Sequence, residues 1–138
     1  MRVQVCWQGE MRLAGETAEG HRVMMDGPPD LGGQGAGARP MELVLLGLAG
    51  CSAVDVVHIL EKGRHSVERC DVVVDAERAV TDPKVFTRIH LQFTIAAPAV
   101  PTAVTERAVR LSADKYCSVA RMLAGTASIT HAVVRADE

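Results

Sequence analysis

The amino-acid sequence predicts an α+β fold, in which antiparallel strands are set against one long, nearly uncharged central helix. Three observations lead there. Short stretches near the N-terminus and again at Val85–Ile95 alternate apolar and polar residues, the period of a sheet with one buried face. Pro40–Arg64 is apolar almost without interruption. The elements follow in the order β-β-β-α-β-β-α-α-β, runs of strands against a few helices rather than a regular βαβ alternation.

Val3, Val5 and Trp7 alternate with polar neighbours and open the first strand. Met11–Glu16 and His21–Asp26 follow as strands, divided by Gly9-Glu10 and Glu19-Gly20, both turn-forming pairs. Gly27–Ala38 is a loop with five glycines and two prolines. A loop of that length in a small domain is commonly functional or mobile.

The helix expected over Pro40–Arg64 begins on a proline, whose missing N–H costs nothing in the first turn, and carries Glu42 near its positive dipole end. Leu43, Leu46, Leu48, Val54, Val57 and Leu60 leave little polar face before Asp55. A helix apolar nearly all round is buried nearly all round, and a second subunit would supply the cover. Gly47, Ala49, Gly50 and Ser52 give it a thin side where another backbone can approach; each glycine costs about 1 kcal/mol against alanine.

Cys70–Ala76 alternates, with Val72 and Val74 on one face, and Thr81-Asp82-Pro83-Lys84 is a turn. In Val85–Ile95 the residues Val85, Ile89, Leu91, Phe93 and Ile95 are expected inside, with Arg88, His90, Gln92 and Thr94 outside. Pro98–Thr102 breaks the sheet. Thr105–Lys115 is an amphipathic helix with Val104, Ala108 and Leu111 inward, Ser118–Ala124 a short helix after a kink at Tyr116-Cys117, and Ser128–Arg135 a closing strand.

The 138 residues amount to a single expected domain, 1–138, large enough to build a core without disulfides or metal. A net charge of −2 gives no basic field for nucleic acid, and 3% aromatic content gives no stacking platform. No signal-peptide pattern follows Met1, and the Leu43–Leu60 stretch is interrupted by Asp55 and His58, so the expectation is a cytoplasmic protein with no membrane span. Cys6, Cys51, Cys70 and Cys117 form no Cys-x-x-Cys pair, which argues against a structural zinc site or a secreted disulfide framework.

Two of the cysteines stand in settings that favour chemistry. Cys117 is placed where a helix begins, a position that lowers a thiol pKa, and Cys51 lies on the thin side of the central helix. Cys6 and Cys70 sit in strands and are read as packing. Asp55 and His58, three residues apart, share a helix face, but no third ligand stands at metal spacing, and neither a metal nor a cofactor is expected. His21, His65, His90 and His131 are scattered and receive no role.

The stretch Arg39-Pro40-Met41-Glu42-Leu43-Val44-Leu45-Leu46-Gly47-Leu48-Ala49-Gly50-Cys51 resembles the central helix of the OsmC/Ohr family, the osmotically inducible and organic hydroperoxide resistance proteins. Lys115-Tyr116-Cys117-Ser118-Val119 stands where that family carries its second cysteine. Asp82-Pro83-Lys84-Val85-Phe86-Thr87-Arg88-Ile89 resembles the YhfA-like branch, which also shares Ser118 where many family peroxidases have proline. The resemblance implies an intertwined homodimer and a thiol-dependent peroxidase acting on small organic hydroperoxides. Cys51 would be the peroxidatic thiol, Cys117 the resolving thiol, and an external dithiol the reductant. It also implies an active-site glutamate at Glu42 and an arginine from the N-terminal strands. Arg12, after the Trp7-Gln8-Gly9-Glu10 turn, is the candidate, with Arg22 and Arg39 as rivals. Glu42 and Cys51 are nine residues apart, about 180° around and about 13 Å along one helix, so a shared site draws Glu42 from the other subunit. Leu46 and Met122 would line an apolar pocket favouring organic over hydrogen peroxide. The residues leave two further readings open: a redox-responsive or small-ligand-binding dimer without turnover, and a structural role with both cysteines as packing.

Overall fold

The computed structural model of the protein describes residues 1–136. It is α+β, with two three-stranded sheets and a long central helix. The chain divides into two compact units, the first Met1–Leu46 and the second from Gly47 on.

In the first unit β1 (Val3–Trp7), β2 (Arg12–Thr17) and β3 (Arg22–Asp26) form an antiparallel meander. The expected turns hold because their residues tolerate left-handed backbone: Gly9 and Glu10 have φ of 95° and 52°, and Gly20 has φ of 89°. The alternation in β1 buries nothing within one chain: all five residues are exposed, Trp7 at 71%.

The glycine-rich loop is ordered by Asp26. Its carboxylate accepts backbone N–H groups from Gly27 (2.8 Å), Gln34 (2.8 Å) and Ala36 (3.1 Å). These bonds, chiefly those from Gln34 and Ala36, hold the Asp26 pKa below its ordinary value, with the Arg12 guanidinium a smaller contributor. Pro29–Leu31 forms a single 3-10 turn within the loop. Gly33 is required by close approach, since a Cβ there would overlap the Gly27 carbonyl oxygen.

Helix α1 runs over Pro40–Lys62, within two residues of the expected end. Glu42, at its third position, accepts the N–H of Arg39 at 2.9 Å, the returning half of a capping box. By length and composition α1 could cross a membrane. Within one chain it is not buried all round: Leu48, Ser52, Val56 and Leu60, one stripe at a spacing of four, are its buried residues, while Val44, Leu46 and Val54 are exposed.

In the second unit β4 (Arg69–Arg78), β5 (Phe86–Ala96) and β6 (Ser128–Arg135) make a sheet with β5 in the middle. β4 and β5 are antiparallel. β5 and β6 are parallel, the register Arg88↔Ser128 to Ile95↔Arg135 being reached through α2 (Thr102–Leu111) and α3 (Ser118–Leu123). Parallel neighbours require such a crossover. Ile89, Leu91, Phe93 and Ile95 fill the core as expected. Val85 does not. The register passes from Glu77↔Arg88 to Arg78↔Phe86, so Thr87 is an extra residue in β5, and the bulge turns Phe86 inward in place of Val85. On α2 the buried residues are Thr105, Ala108 and Val109; Val104 and Leu111 are half-buried, one step off the expected face. Arg135 ties the crossover down, donating to the carbonyls of Ala97 and Val100 at 2.8 Å each.

Candidate functional site

α1 and the α2–α3 junction meet in the second unit at two thiols and a carboxylate. α2 ends in one wide, π-helical turn, Ser112–Tyr116, closed by the Cys117 N–H donating to the Ser112 carbonyl at 2.9 Å. That turn releases the chain into extended backbone at Cys117, which becomes the N-cap of α3: its sulfur accepts the Ala120 N–H at 3.4 Å. Cys117 is fully buried. Cys51 is half-buried, one residue before the buried stripe position Ser52.

Three hydroxyl bonds knit the site. Ser52 donates its hydroxyl to the Cys117 sulfur at 3.4 Å. Ser112 donates to Asp55 Oδ2 at 3.1 Å and lies 3.4 Å from the Ser52 carbonyl oxygen. The ligating atoms of Cys51, Asp55 and Cys117 all fall within 4.8 Å of one another. No disulfide joins the cysteines. Burial pushes the Cys117 thiol up; the bonds from Ser52 and Ala120 pull it down, and neighbouring Cys51 raises it further. The helix N-terminus therefore does not lower this thiol as expected. α3 has only six residues, and exclusion from water outweighs what its amides supply.

Cys51 and Cys117, far apart in sequence, are thus brought together. Glu42 and Arg12 lie in the first unit. Glu42 caps its own helix through Arg39, and Arg12 sits directly across the β2–β3 ladder from Asp26. Arg22 pairs with Glu16 in the same ladder, and Arg39 immediately precedes α1. Leu46 and Met122, expected in an apolar pocket, are 60% and 72% exposed in a single chain. Asp55 makes its bond with Ser112; His58 instead borders a shallow apolar groove with Ala53, Val54, Val57 and Glu61.

The sequence reading pairs Asp55 with His58 and misses its neighbour Cys51; the signal that could have joined them is their four-residue spacing, which returns to the same helix face. Ser112 and its bond to Asp55 have no such signal, since nothing in its local sequence sets it apart from a helix-surface serine.

Residues 33–132 match the family model described as OsmC-like protein. The protein named YhfA of Escherichia coli (strain K12) is 45% identical over 131 residues, 95% of each chain. The crystal structure of a hypothetical protein from Aquifex aeolicus VF5 superposes with a TM-score of 0.80 at 28% identity, covering 97% of this chain and 96% of that one. A structure described as an organic hydroperoxide resistance protein OsmC from Legionella pneumophila superposes with a TM-score of 0.70 over 96% of this chain and 94% of its own, and at 19% identity it shares the fold alone. By the family model and by a relative of this identity and coverage, the chain belongs to the OsmC family.

Proposed function

We propose that the protein reduces organic hydroperoxides as a homodimer, with Cys51 as the peroxidatic thiol and Cys117 as the resolving thiol. The observation that carries this reading is the approach of the two sulfurs to within 4.8 Å, with Cys51 on the accessible side and Cys117 behind it. Family membership and the organic hydroperoxide resistance names among structural neighbours support the substrate class.

In this reading the Cys51 thiolate attacks the distal oxygen of ROOH. The O–O bond breaks, Cys51 becomes a sulfenic acid, and the alkoxide takes a proton and leaves as the alcohol. Cys117 attacks the sulfenic sulfur; the hydroxide leaves with the thiol proton as water, and a disulfide remains. An external dithiol restores both thiols by exchange and is itself oxidised. Arg12 is assigned to holding both the Cys51 thiolate and the Glu42 carboxylate in the assembled dimer, with Glu42 coming from the second copy. The dimer is supported by the apolar side chains one chain leaves exposed: Val44, Leu46 and Val54 on α1, and Val3, Val5 and Trp7 on β1.

The test is one equivalent of cumene hydroperoxide added to the reduced protein, followed by thiol mapping by mass spectrometry. A Cys51–Cys117 disulfide reversed by a dithiol is expected. Unmodified thiols, or indiscriminate oxidation reaching Cys6 and Cys70, would overturn the reading and leave a dimer that binds a ligand without turnover.

A further inference from the structure

We propose that the reduced Cys51–Asp55–Cys117 cluster is a binding site for a thiophilic divalent cation, Zn(II) above all. The three donor atoms lie within 4.8 Å of one another. Tetrahedral donors at ordinary zinc–sulfur and zinc–oxygen lengths stand about 3.4–3.8 Å apart, so an ion need draw these in by only about 1 Å. The donors are two sulfurs and one carboxylate oxygen, a set that suits a soft-to-borderline ion and not magnesium or calcium.

The surroundings are those of a supported site. Ser112 donates to Asp55 Oδ2 at 3.1 Å, which orients the carboxylate beside the two sulfurs. Ser52 and the Ala120 N–H both donate to the Cys117 sulfur, outer hydrogen bonds that fix its position as a ligand. Half-buried Cys51 leaves a way in, and a fourth coordination position remains for solvent. With a divalent cation bound, the two positive charges offset two of the three negative charges that two thiolates and one carboxylate bring together. Binding forms two metal–sulfur bonds and releases the two thiol protons, with no oxidant or reductant involved. The disulfide form has no thiolate to offer, so oxidation of the pair excludes the ion.

This inference concerns the same cysteines as the proposed peroxidase but does not rest on turnover. The full chain, reduced with a phosphine and desalted under anaerobic conditions, is titrated with Cd(II) while the thiolate-to-cadmium charge-transfer absorption is recorded. Saturation at one Cd(II) per chain, displacement by Zn(II), and no band from the disulfide form are expected. Ser112→Ala should weaken binding about 10–100-fold, the usual effect of losing a group that orients a ligand; Cys51→Ser and Asp55→Asn should weaken it at least as much, with unchanged circular dichroism. These variants carry the test because Cys117 is a buried helix cap whose replacement disturbs α3. No band, or Cys51→Ser or Asp55→Asn binding Cd(II) as tightly as the parent, would overturn the proposal. A protein inert to hydroperoxide that still binds Cd(II) would leave this site standing and remove only the peroxidase.

Discussion

Ser52 donates its hydroxyl to the sulfur of Cys117 at 3.4 Å, joining the buried stripe of α1 to the N-cap of α3 across 65 residues of sequence. The bond fixes Cys117 in the interior of the second unit, and the burial there, against which the bond itself pulls, sets the different behaviour expected of the two thiols.

Native reduced protein treated with a neutral-pH alkylating agent should label Cys51 well before Cys117. Cys51 is half-buried; Cys117 is fully buried, and burial raises its pKa. Cys70 should also lag, its thiol pushed up by burial and then by Asp71. Exposed Cys6 should label without unfolding. Peptide mapping over time reads this order; Cys117 labelled as fast as Cys51 would contradict it.

Cys117→Ala removes the acceptor for the Ala120 N–H at the start of α3 and should cost about 1 kcal/mol, up to about 2. Cys117→Ser keeps a capping oxygen and should cost less. Urea unfolding of the two variants gives the comparison, and equal losses would show that the cap contributes nothing.

Phe93→Ala should destabilise by about 3–5 kcal/mol, because the ring is 1% exposed in the central strand of its sheet. Val85→Ala should cost far less, since the bulge at Thr87 leaves Val85 partly exposed. The pair of unfolding midpoints tests the register as much as the core.

Asp26 ties the glycine-rich loop through its ionised form. Its folded pKa lies below the ordinary 3.8. The stabilisation is therefore complete above the unfolded pKa and is lost as pH falls through the lower, folded value. The amide proton shifts of Gln34 and Ala36 should titrate with a midpoint under 3.8, and Asp26→Asn should speed hydrogen exchange at both amides. A midpoint at or above 3.8 would refute the tether.

Gly50→Ala should favour an isolated helix by about 1 kcal/mol, because a Cβ there meets nothing within 4 Å in one chain. In the proposed dimer the same methyl occupies the thin side of α1 and should shift the protein towards monomer in light scattering. A dimer unaffected by the substitution would place the interface elsewhere.

Local patterns were enough to read the strands, the helices and their order. The closing strand was read at the bounds Ser128–Arg135 that the structure has, and α1 within two residues, because alternation, a proline start and glycine turns are properties of neighbouring residues. The parity of Phe86 and Val85 was not legible, since a bulge is decided by the partner strand.

Residue types and motif placement singled out Cys51 and Cys117 and pointed to the family. Only tertiary structure decided that the two sulfurs meet, that Asp55 turns to Ser112, and that Cys117 is held as a raised rather than a lowered thiol. Distances between segments 60 residues apart depend on how helices cross and how a wide turn releases the chain. A thiol's ionisation depends on the water that packing removes, and neither quantity is encoded in any short stretch of sequence.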